Sequence, residues 1–124
     1  MEMTAVGKIH RQAMAAPVSE IAGLLQDLLS RRLTAYMAGV KDGKTVTRWA
    51  SGEVTVIREH ETEQRLRAAY EIVQLLLTHD SPQTVKAWFI GLNPELGDMA
   101  PAEAIHTGRL QDAFLAARAF LAHG

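Results

Sequence analysis

The chain contains no cysteine, which excludes disulfides, thiolate metal sites and cysteine nucleophiles together. It has only two tryptophans and four prolines. Each tryptophan therefore reads as a packing anchor, and each proline as punctuation between elements. No apolar run approaches the length of a membrane span, and the first residues lack a secretory hydrophobic region. These two absences lead to the expectation of a soluble, cytoplasmic protein with no membrane partner. Formal net charge is only −1, too small for indiscriminate binding to nucleic acid. What remains is ample apolar material: 48% of 124 residues are hydrophobic. That suffices for a core, either in one compact domain or in two small lobes sharing it.

Catalytic signatures are also missing. His10, His60, His79, His106 and His123 include no i, i+4 pair, so a helical metal site has no support. Glu59, Glu61 and Glu63 lie two apart, and on a helix such residues point to different sides. No nucleophile elbow, phosphate loop or dinucleotide fingerprint occurs. The expectation is a non-enzyme with no cofactor and no metal.

Periodicity predicts an all-α chain. Residues 1–16 show no clear period and read as a mobile tail or a loosely docked helix. Residues 17–57 form a first lobe, opened by a stripe of Ile21, Leu24, Leu25, Leu28 and Leu29 that faces Leu33, Tyr36 and Met37. Residues 52–57 alternate valine and threonine, but six residues make no sheet alone, so an extended linker is expected. Residues 58–80 form a connecting helix with a stripe of Leu66, Ala69, Tyr70, Val73, Leu76 and Leu77. Its polar opening is expected to be solvated or to lie at a partner surface. Residues 81–124 form a second lobe. Ser81 and Pro82 start a helix burying Val85, Trp88 and Phe89, and a turn-rich loop follows at residues 93–98. A short helix then starts at Pro101, and a final helix carries Leu110, Phe114, Ala117, Phe120 and Leu121 on one face.

The most informative stretch is residues 33–53. It reads as a short helix, a tight glycine turn at Gly39, and a second short helix capped by Asp42 and stopped by Gly52. On the second helix Val46, Trp49 and Ala50 share one face. Lys44, Thr47, Arg48 and Ser51 share the other, with Thr45 at its flank. Residues 31–58 carry six Lys/Arg and two acids, +4, while the rest carries seven bases and twelve acids, −5. A basic patch confined to one short helix pair is what docking to DNA requires. The segment 45–52, TVTRWASG, is similar to the recognition helix of Xre-type DNA-binding domains. Lys41, Lys44, Thr45, Thr47, Arg48 and Ser51 are the candidate DNA contacts.

A second resemblance lies in residues 87–118. A tryptophan helix, an N-P-x-L-G loop, a P-x-E-x-I helix, a glycine and a final amphipathic helix follow one another there. That order resembles the toxin-binding domain of the Xre/MbcA/ParS antitoxin family. Trp88, Asn93, Pro94, Leu96, Gly97, Pro101, Glu103, Ile105 and Gly108 stand at the matching positions. The resemblance covers roughly residues 18–122, with the two parts in the family's order. It implies a type II antitoxin that blocks a RES-domain, NAD-degrading toxin and represses its own operon through operator DNA. By the same carry-over, Asn93, Pro94, Leu96, Phe120, Leu121 and Gly124 become candidate toxin contacts. Trp88, Leu96, Pro101, Ile105 and Gly108 read as fold-makers ahead of contacts, since tryptophan packs a large area and glycine ends helices in any protein. Two other readings stand beside this one: a repressor with a ligand-sensing second lobe, and an antitoxin whose helix-turn-helix serves only oligomerisation. A homodimer, or a higher hetero-oligomer with toxin, is expected for a reader of paired half-sites.

Overall fold

The structure, a computed structural model, describes residues 2–123, with side chains from residue 5 onward. The fold is all-α, with no strand among the described residues. Among the described residues eight helices run in order: α1 (Glu2–Ala15), α2 (Val18–Leu29), α3 (Arg31–Ala38), α4 (Gly43–Ala50), α5 (His60–Leu76), α6 (Pro82–Ile90), α7 (Pro101–His106) and α8 (Leu110–His123). A 3-10 turn, Pro94–Leu96, lies between α6 and α7.

Helix ends follow side-chain chemistry. Ser30 Oγ accepts the Leu33 amide at 3.0 Å to open α3, and Ser81 Oγ accepts the Thr84 amide at 3.2 Å to open α6. Asn93 Oδ1 accepts the Glu95 amide at 2.9 Å and starts the 3-10 turn. Each group satisfies a donor that the first turn leaves orphaned. Gly39 (φ 81°) and Gly97 (φ 63°) take left-handed conformations that close the preceding turns, where a Cβ would strain the chain.

Helix α5 is the spine. It packs against α1, α2, α3, α7 and α8, so its buried set is wider than one stripe. Ile72, Val73, Leu75 and Leu76 are all buried, as expected for a helix covered on several sides. One continuous cluster of buried apolar residues joins every helix, from Ala13 of α1 to Ala117 of α8.

Three expectations are revised. Residues 2–15 form a helix whose end is fixed rather than loose: Ala13 is fully buried. Arg67 Nη1 of α5 donates to Ala13 O at 2.9 Å and Ala16 O at 2.8 Å. Tyr36 does not pack toward α2 but stacks on His106 of α7, with ring centroids 4.2 Å apart. His106 Nδ1 also donates to the Tyr36 carbonyl at 2.6 Å; a carbonyl only accepts, so the proton is on Nδ1. Finally, the fully buried face of α8 is Ala113, Ala116 and Ala117. Leu110, Phe114, Phe120 and Leu121 flank that face half-buried. Small residues let α8 approach its neighbours closely, and the large ones are pushed to the edges of the contact.

Candidate functional site

Helices α3 and α4 meet across residues 39–42. Gly39 ends α3, its amide bonded back to Ala35 O and Tyr36 O. Asp42 then opens α4, with Oδ1 accepting the Lys44 amide at 2.9 Å. Val46 is fully buried and Trp49 is 4% exposed, so α4 is pinned by its apolar face against α2 and α3. The opposite face is open. Lys41, Lys44, Thr47, Arg48 and Ser51 are exposed, and Thr45 is half-buried at the flank. All six residues expected to meet DNA therefore lie on or beside one surface of α4, with the cationic side outward.

Two contacts on that surface were not legible in the sequence. Arg31, at the start of α3, donates from Nη1 to Thr47 Oγ1 at 3.3 Å. Its stem crosses Gly43, where a Cβ would sit 3.1 Å from Arg31 Nε. Arg31 therefore adds another long cation to the α4 face. The Arg48 guanidinium meets the Glu53 carboxylate at 3.5 Å, with the two side chains 60% and 66% exposed. A pair this wet is worth little, so Arg48 is free to exchange Glu53 for a phosphate or a base edge.

At the other end of the chain an open groove of about 320 Å³ runs between α6, the 93–97 loop and α8. Asn93, Pro94 and Phe120 line it, together with Trp88, Leu92 and His123. Leu92 is 79% exposed, and Trp88 and Phe120 lean together with centroids 6.4 Å apart. The indole Nε1 of Trp88 is buried with no acceptor in the described chain.

The expected toxin contacts divide. Leu96 is 2% exposed and supports the loop from beneath, out of reach of a partner. Leu121 turns to the far side of α8, into a second groove of about 600 Å³ with Val6, Ile9, Leu75 and Leu115. Successive helical residues are about 100° apart, which is why Phe120 and Leu121 part company. Gly124 lies outside the described residues. Trp88 was legible only as a fold-maker and Leu92 was not singled out in the sequence; nothing in their spacing signalled a shared groove.

The Tyr36–His106 stack joins α3 to α7. Partial burial, and then the negative charge of Glu103, hold the Tyr36 phenol above its ordinary value of 10.0. No group of three or more His, Asp or Glu side chains that could hold a metal ion occurs among the described residues. Among them, no helix is long and apolar enough to cross a membrane. No protein-family model, curated protein or solved structure matches the chain.

Proposed function

We propose that the chain is a type II antitoxin of the Xre/MbcA/ParS kind. In this reading α4 contacts operator DNA, and the groove between α6, the 93–97 loop and α8 seats a RES-domain, NAD-degrading toxin. The observation that carries the reading is the pairing of two unlike surfaces on one core. One is a cationic, exposed helix face anchored by Val46 and Trp49; the other is an open groove around Trp88, Leu92, Asn93 and Phe120.

The division of labour follows from chemistry. The α4 face offers long cations and hydroxyls, the groups that bind phosphates and base edges. The groove offers exposed leucine and aromatic surface with few charges, which gains most by being buried on another protein. Inhibition requires no reaction by this chain: a protein seated in the groove has part of its own surface covered. With a net charge of −1, one copy grips few phosphates, and useful DNA affinity then depends on two heads acting together.

Co-expression with a neighbouring RES-domain reading frame is the test. A stable complex that restores cellular NAD, and is weakened by Leu92→Asp or Phe120→Asp, supports the reading. Folded protein that neither binds nor protects overturns the toxin-binding half. A mobility-shift assay on the chain's own upstream DNA examines the other half independently; no shift at low salt leaves α3 and α4 as a packing module.

A further inference from the structure

Immediately after α4 comes a segment whose backbone is largely unpaired. Residues 54–59 are neither helical nor turned. The Glu53 amide reaches Ser51 Oγ at 3.3 Å, and the Val54 amide reaches Arg48 O at 3.2 Å. Among the described residues, the amides of Thr55, Val56 and Ile57 and the carbonyls of Glu53 and Thr55 have no partner. The four residues 54–57 are all β-branched, the type best suited to a pleated ribbon. Val54 and Ile57 lean on the core, while Val56 is 71% exposed.

We propose that residues 53–57 pair with the same segment of a second copy, as a two-stranded antiparallel ribbon centred on Thr55. Symmetry narrows the register. In a two-fold antiparallel pair, opposed residues must share a face of the ribbon, so the axis passes through a residue facing its own copy. With Thr55 at the centre, the two Thr55 residues exchange both amide–carbonyl bonds. Each Ile57 amide then meets the Glu53 carbonyl of the second copy. Four bonds form, and none uses a group already engaged. The same register lays each exposed Val56 on the second copy's Val54, which is itself seated on the core. A centre at Val56 instead opposes Glu53 to Glu59, a like-charge pair that disfavours it. A centre at Val54 either calls on the Val54 amide, which is taken, or leaves two of these bonds.

A free two-stranded ribbon is marginal, but here each strand is backed by its own helical core. Because the ribbon begins directly after α4, the two α4 helices flank the axis. That consequence, a reader of two-fold symmetric DNA, rests on the function proposed above; the dimer does not.

The experiment uses the whole chain without DNA. The protein has no cysteine, so Thr55→Cys places a single thiol opposite its own copy, at a separation of about 5.5 Å between Cα atoms, within disulfide reach. Mild oxidation is expected to cross-link Thr55→Cys into a dimer and to leave Ser51→Cys uncross-linked. Sedimentation is expected to show a dimer for the native chain and a monomer of unchanged helicity for Val56→Asp. A monomeric native chain, a Val56→Asp dimer, or cross-linking no better at 55 than at 51 overturns the proposal.

Discussion

Arg67→Met tests why α1 belongs to the fold. A helical carbonyl is normally satisfied by the amide four residues on, but for Ala13 that residue is Pro17, which has no N–H. Arg67 supplies the missing donor: Nη1 reaches Ala13 O at 2.9 Å and Ala16 O at 2.8 Å. Its Nε is held by Glu63 at 2.9 Å, one turn earlier on α5. The Arg67 side chain is only 15% exposed, so these bonds are shielded. Two hydrogen bonds from a charged donor contribute roughly 3–6 kcal/mol at face value, and the Glu63 pair about 0.3–0.5 kcal/mol. Methionine keeps the apolar stem, and water regains part of the carbonyls because Ala15 and Pro17 are exposed. A net loss of about 2–3 kcal/mol follows, or roughly 6–15 °C in melting temperature for a chain of this size. Urea unfolding followed by circular dichroism reads the first quantity and a thermal scan the second. Amide exchange should show α1 losing protection before α5, while Arg67→Lys, with one point charge for three acceptors, falls between. A Met variant within about 0.5 kcal/mol of native would refute the account of Arg67 as the terminus of α1.

Three further outcomes follow from the same structure. On the DNA-binding reading proposed above, Arg48→Ala is expected to weaken operator binding by about 1–3 kcal/mol, and Glu53→Gln to strengthen it, because Glu53 competes for Arg48 at 3.5 Å; equal affinities in folded variants would take Arg48 out of the interface. Tyr70 donates to Glu20 Oε2 at 2.8 Å, and burial first, then that bond, raise its phenol above 10.0. The protonated form is thus the one the fold favours, so its stabilisation is complete below pH 10.0 and is lost as pH rises through the elevated value. The gap in urea midpoint between native and Tyr70→Phe should accordingly narrow above that pH, and a constant gap would count against the assignment. Gly23, inside α2, has nothing within 4 Å of where an added Cβ would sit, so Gly23→Ala should stabilise by about 0.5–1 kcal/mol in denaturant unfolding.

Local chemistry makes the elements readable. Asp42, Ser81 and Asn93 each cap the turn that their position predicts, and Gly39 and Gly97 bend where helices have to stop, because these effects involve residues only a few places apart. What the sequence conceals is which neighbour each helix faces. By periodicity the stripe on α8 runs through Leu110, Phe114, Ala117, Phe120 and Leu121, and of these only Ala117 is fully buried. The helix instead turns Ala113, Ala116 and Ala117 inward, because close approach to α5 and α7 leaves room only for methyl groups there. Likewise α5 reads in sequence as a connector with one apolar face, and only its contacts with five other helices account for Ile72 and Leu75 being buried. Periodicity reports how much apolar surface a helix carries, but not how many partners will cover it.

The two candidate sites are legible to different degrees for the same reason. The α4 face needs only a short run of consecutive residues and a turn of about 100° per residue, so Lys44, Thr47, Arg48 and Ser51 can be grouped before any tertiary contact is known. Arg31 cannot, since it reaches Thr47 only once α3 has folded back across Gly43. The groove is a harder case, because its walls come from α6, a loop and α8. Asn93, Pro94 and Phe120 meet there, yet Leu96 and Leu121, their equals in the sequence pattern, point into the core and to the opposite side of α8. Leu92 adjoins Asn93 and is largely exposed, and only the fold turns that exposure into a signal. An apolar side chain in a loop is ordinary by itself, whereas one beside Trp88 and Phe120 extends a surface that gains by leaving water for a partner. The groove can therefore be probed most cleanly at Leu92, where a polar substitution removes apolar surface without opening a cavity in the core.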